Sequence, residues 1–112
     1  MLLLVGGCIT TPLAPEIALN DARSTIQAAE KDDASHYANA ELDEARQKLI
    51  LADRAVATED MVLAERLAHE SAATAKLAAA RTEAKKAAAI NTEMSRGADA
   101  LMEEMQRIGD QQ

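Results

Sequence analysis

From Glu16 onward the chain contains no proline, and its only glycines there are Gly97 and Gly109. These two residue types interrupt helices most strongly, proline by about 3 kcal/mol and glycine by about 1 kcal/mol in an interior position. Both prolines, Pro12 and Pro15, precede Glu16. Roughly a quarter of the chain is Ala, far above ordinary usage, and Ala is the best helix former. Val and Ile are sparse and never alternate with polar residues over a strand's length. A sheet is therefore not expected, and the sequence predicts an all-α protein.

The same alanines limit the core. The chain is 48% hydrophobic, yet it has no Phe or Trp, and Tyr37 is its only aromatic residue. Burying an Ala removes about one methyl from water, ~0.8 kcal/mol, against about 1.5–3 kcal/mol for Leu or Ile. Such a composition favours thin, closely spaced helix contacts over a thick interior. At 112 residues it makes one domain at most.

Three helices are expected. The first runs from about Glu16 to Glu30, with Ala18, Ala22, Ile26 and Ala29 on one stripe. The polar stretch Lys31–His36 breaks the pattern. The second runs from about Asn39 to Ala57, where Leu42, Ala45, Leu49, Ala52 and Val56 step 3-4-3-4, the spacing of a helix packed on a partner. Thr58-Glu59-Asp60 reads as a helix start, with Thr58 as cap. The third helix continues from Glu59 with no breaker until Gly97, a weak point or end of the helix, or else on to Ile108, with Met61, Ala64, Ala68, Ser71, Ala75 and Ala78 repeating the 3-4 steps.

The expected architecture is an antiparallel helical hairpin, turning at Ala57–Asp60, with the first helix in its groove to complete a three-helix bundle. Large residues on one side of the seam meet small ones on the other. The second helix spans about 30 Å and the third about 70 Å at 1.5 Å per residue, so the third overhangs. The boundaries expected are residues 16–80 for the bundle and 81–112 for a C-terminal helical extension. In that extension Ile90, Met94, Leu101, Met105 and Ile108 return to one side. A lone helix is marginal in water, so this face is expected to meet a protein partner or a second copy. Met94, Met102 and Met105 would make it adaptable.

No catalytic, cofactor or metal site is expected. His36 and His69 lie on different elements without Cys or carboxylates in zinc-like order. Glu41/Asp43/Glu44 and Glu103/Glu104 fall on solvated helix faces where adjacent residues point apart. Ser24, Ser35, Ser71 and Ser95 lack a base partner, and no glycine-rich phosphate loop occurs. The net charge of −7 argues against nucleic acid, which needs a basic face. No small-molecule substrate is suggested.

The only cysteine, Cys8, follows the apolar run Leu2-Leu3-Leu4-Val5 and Gly6-Gly7. This resembles a bacterial lipobox, in which the thiol accepts diacylglycerol and a peptidase cuts just before it. Residues 1–7 would be a truncated signal-like segment and residues 8–15 a tether, with the protein attached to the membrane through Cys8. A working signal peptide has a basic start and an apolar stretch of about 7–15 residues, which the seven residues before Cys8 do not supply. If Met1 is the true start, a cytoplasmic location is the alternative. Ile9 is not the Asp associated with inner-membrane retention in enterobacterial lipoproteins, so the resemblance implies the outer membrane, facing the periplasm.

The residues Tyr37-Ala38-x-x-Glu41-Leu42-x-x-Ala45-x-x-x-Leu49-x-x-Ala52 resemble the central motif of the domain-of-unknown-function 4398 family. Ala64-x-x-Leu67-Ala68 and Ala75-x-Leu77-Ala78-x-Ala80 are similar to its C-terminal repeat, and the resemblance covers about Leu13 to Arg81. Asn39 stands where the family usually has Pro, and Glu59 where Gly-Asp would open the last helix. The resemblance implies a short envelope lipoprotein; some members precede an OmpA-like domain that grips peptidoglycan, but none lies within these 112 residues. It brings no catalytic residues. The function expected is a non-enzymatic envelope scaffold, spacer or accessory subunit. The alternatives are a helical binding or self-associating module and a cytosolic stress-related helical protein.

Overall fold

The computed structural model describes residues 13–111, and the expectations for Cys8 and the segment before it lie outside these residues. Four helices follow one another: α1 (Glu16–Lys31), α2 (Ala34–Tyr37), α3 (Asn39–Ala57) and α4 (Met61–Asp110). No strand occurs among the described residues. α3 and α4 form the antiparallel hairpin, and α1 packs beside them, more on α4 than on α3.

The hairpin turn is a Schellman arrangement. The Glu59 amide donates to the Val56 carbonyl (3.0 Å) and the Asp60 amide to the Ala55 carbonyl (2.9 Å). This geometry puts Glu59 in the left-handed region, at φ 61°. The Asp60 carboxylate then accepts from the Leu63 amide at 3.1 Å and caps α4. The expected cap at Thr58 is thus corrected. Thr58 donates its hydroxyl to the Arg54 and Ala55 carbonyls and closes α3, while α4 begins at Met61. Both Thr and Asp suit a cap; the two Schellman bonds leave only Asp60 facing the free amides.

The polar stretch after α1 also differs from a plain turn. Asp33 adopts a left-handed conformation, φ 68°, and the chain then makes the short α2, whose Ala34 is buried. Asn39 is the first residue of α3, where a helix has no partner for the N–H. α4 passes through Gly97 without a break, and its 50 residues reach about 75 Å at 1.5 Å per residue.

The core is a continuous strip of small residues. One group joins Ile26, Ala29, Ala34, Ala38, Leu42, Ala45, Ala75 and Ala78. A second, nearer the hairpin turn, joins Ala18, Leu19, Ala52 and Ala68, with Leu49, Val56 and Leu67 against it. These neighbours set the directions: α1 runs parallel to α4, and the start of α1 shares one end of the bundle with the hairpin turn. Packing continues to Thr82, which is buried and donates to the Ala78 carbonyl at 2.8 Å.

Candidate functional site

Two features of this fold are candidates for function: the α3–α4 seam and the exposed arm of α4. In the seam, Leu42, Ala45 and Ala52 of α3 are fully buried against Ala64, Ala68, Ser71, Ala75 and Ala78 of α4. Leu49 and Val56 are half-buried at its edge. Ser71 does more than fill a small space. Its hydroxyl donates to the Ala45 carbonyl at 2.7 Å, a buried bond between the two helices. An hydroxyl reaches a carbonyl across a seam only when the axes lie close, which the alanines permit.

Charged pairs flank the seam on its solvent side. Arg23 of α1 meets Asp53 of α3 at 2.8 Å, and Arg46 of α3 meets Glu30 of α1 at 2.5 Å. Lys48 reaches Glu44 on its own helix at 3.0 Å and lies 3.9 Å from Glu70 of α4. The hydrogen bond to Glu30, aided by Asp43, raises the Arg46 pKa above its ordinary value. Exposed pairs of this kind contribute about 0–1 kcal/mol each and serve mainly to fix register.

At the far end of the hairpin, Arg81 pairs with Glu41, and Lys85 donates to the Tyr37 carbonyl. Lys86 lies 3.7 Å from Asp33 and 5.9 Å from the centre of the Tyr37 ring. Arg81 therefore ties α4 to the first turn of α3, while Lys85 and Lys86 clasp α2 and the turn before it. Sequence reading placed them in a polar extension; their role follows from the left-handed turn at Asp33, which aims α2 at α4.

Beyond Lys86 every described residue of α4 is exposed. The predicted face lies here: Ile90, Met94, Leu101, Met105 and Ile108 are each more than half exposed, as is Met102. Lys76 pairs with Asp21 of α1 and Lys86 with Asp33 of the following turn, which marks the α1 side of α4. Steps of three and four residues from Ala72 through Ala79 and Lys86 lead to Ile90 and Met94 on that same side. The stripe is thus the continuation of the α1-facing row past the point where α1 has ended.

The opposite end has its own apolar exposure. Leu13, Ile17 and Val62 are 82–90% exposed at the start of α1 and α4. A shallow groove of about 290 Å³ is lined there by Leu13, Pro15, Ile17 and Glu65. A second, of about 390 Å³, lies between Leu51, Arg54, Leu63 and Leu67. Among the described residues no group of His, Cys, Asp or Glu is placed to hold a metal ion, and no helix is long and apolar enough to cross a membrane.

Fold and surface together define a small alanine-zipped helical hairpin that carries a free amphipathic arm. The chain belongs to the family described as a domain of unknown function (DUF4398), whose profile matches residues 18–94. The match takes in the bundle from the first turn of α1 onward and the first turns of the arm. No curated protein and no solved structure matches the chain significantly.

Proposed function

We propose that this protein is a non-enzymatic lipoprotein of the bacterial cell envelope, a spacer or accessory scaffold. Cys8 holds it to the outer membrane and the arm of α4 is its docking element in the periplasm. The observation that carries this reading is the arrangement of the two ends. The chain enters the bundle beside the hairpin turn, whereas the arm leaves from the α2 end. An anchor a few residues before Leu13 then leaves the arm pointing away from the membrane. The exposed Leu13, Ile17 and Val62 sit at the anchored end, where contact with lipid headgroups and acyl chains offsets their exposure.

Metabolic labelling with palmitate tests the anchor. Full-length protein expressed with its native upstream sequence is expected to incorporate label and to fractionate with the outer membrane, and Cys8→Ser to do neither. Label retained in Cys8→Ser, or protein found in the cytosol, overturns the reading. A photo-crosslinking residue at position 94 is expected to capture a protein, whether another chain or a second copy, rather than lipid.

A further inference from the structure

We infer that the arm of α4 pairs with the arm of a second copy of this chain, antiparallel, across a two-fold axis near Asp99. The inference deepens the docking role just proposed for the arm, rests on it, and names the occupant. The stripe is Ile90, Met94, Gly97, Leu101, Met105, Ile108, in steps of four, three, four, four and three. Read from either end it runs Ile, Met, then Gly and Leu in one order or the other, then Met, Ile. Laid against a reversed copy, Ile90 falls opposite Ile108, Met94 opposite Met105, and Gly97 opposite Leu101.

The last of these pairings gives Gly97 a purpose. Glycine inside a helix weakens it, and nothing in the single chain requires one: a Cβ added at Gly97 would meet no atom within 4 Å. On the stripe, opposite Leu101 of the second copy, the missing side chain is the space that a large residue enters.

Charge selects the direction. Residues 99–111 hold four acids, Asp99, Glu103, Glu104 and Asp110, against the single base Arg107, whereas residues 87–98 hold Glu93 and Arg96 and balance. A parallel pair in register sets the acidic half against itself and Glu104 against Glu104. The antiparallel pair sets the acidic half against the neutral one and brings Glu93, on one edge of the stripe, beside Arg107 of the second copy. Arg107 is already held toward that edge by Glu104, at 2.5 Å.

The area fits a reversible association. Five large side chains per copy, at about 60–120 Å² each, make an interface on the order of 1,000 Å², the lower limit for a specific one.

Cross-linking in a Cys8→Ser background tests both the pairing and its direction. Met94 lies opposite residue 104 or 105 of the second copy, so two copies of position 94 stand about 15 Å apart along the axis, too far for a disulfide. Met94→Cys alone and Met105→Cys alone are each expected to stay monomeric under mild oxidation, and their mixture to give a disulfide-linked dimer. Full-length protein at 100 µM is expected to sediment at twice its 11.9 kDa mass. Leu101→Asp is expected to sediment as a monomer with an unchanged melting temperature. Gly97→Ala is expected to raise helicity yet weaken the dimer about tenfold. Self-linking of either single variant, a monomer at 100 µM, or a tighter dimer in Gly97→Ala overturns the inference. A monomer whose position 94 still captures another protein in cells leaves the docking role standing and removes only the second copy. None of these readouts depends on acylation at Cys8.

Discussion

Replacing Leu42 by Ala should remove a large share of the stability of the bundle. Leu42 is the largest fully buried side chain among the described residues, and it lies among Ala38, Ala45, Ala75 and Ala78. Deleting three carbons loses about 2.4 kcal/mol of transfer free energy, at ~0.8 kcal/mol per carbon. Most of the group are alanines, which cannot swing into the space, so most of the hole persists unless whole helices close on it. A cavity of about 50–80 Å³ then adds ~1–2 kcal/mol. The total of about 3.5–4.5 kcal/mol compares with a stability of ~5–15 kcal/mol for a chain of this size. Urea unfolding followed by Tyr37 fluorescence, and in parallel by circular dichroism at 222 nm, measures it. Tyr37 is half-buried between α2 and α4, so its emission reports the bundle and not the arm. Leu51→Ala, at a half-exposed site of the same helix, should cost well under half as much. A loss below about 1 kcal/mol for Leu42→Ala, at unchanged m, refutes the packing described.

Two further outcomes follow from the hairpin turn. Glu59→Gly should raise stability by about 1 kcal/mol, since glycine occupies the left-handed conformation at φ 61° without the penalty a side chain carries there; thermal melts should rise by roughly 4–8 °C. Asp60→Ala should lower stability by about 1 kcal/mol through loss of the bond from the Leu63 amide, and Asp60→Asn or Asp60→Ser should restore most of it.

The long elements were legible because alanine and the absence of breakers leave the chain few choices. Leu42, Ala45, Leu49, Ala52 and Val56 on one helix and Ala64, Ala68, Ser71, Ala75 and Ala78 on the other keep time with each other, and the structure packs the two rows together, with only Leu49 and Val56 left half-buried. The stripes also run further than their obvious members. Ala34 and Ala38 precede Leu42 by two steps of four, and Thr82 follows Ala78 by four, but polar and charged neighbours disguise all three. The cap at Asp60 was not legible, because Thr58, Glu59 and Asp60 are each plausible at a helix start and only the backbone bonds to Ala55 and Val56 choose among them. The clasp of Lys85 and Lys86 on α2 was out of reach for a similar reason. It depends on the direction in which a left-handed aspartate sends the chain, and direction leaves no periodicity in a sequence. The arm, by contrast, was visible in advance, since helix lengths alone require the overhang.

The close-packed seam underlies every functional statement, and one pair of thermal melts tests it most directly. Ala75 and Ala73 lie two residues apart on α4; Ala75 is fully buried at the seam and Ala73 is exposed. Glu at both sites changes helix propensity by the same small amount, so only the surroundings differ. Ala75→Glu forces a carboxylate into a space that holds one methyl, a burial costing several kcal/mol, and should lower the melting temperature by 15 °C or more, on the order of 4–8 °C per kcal/mol. Ala73→Glu should stay within about 3 °C of the parent. Equal, small shifts for the two variants would mean that the helices do not meet along this row.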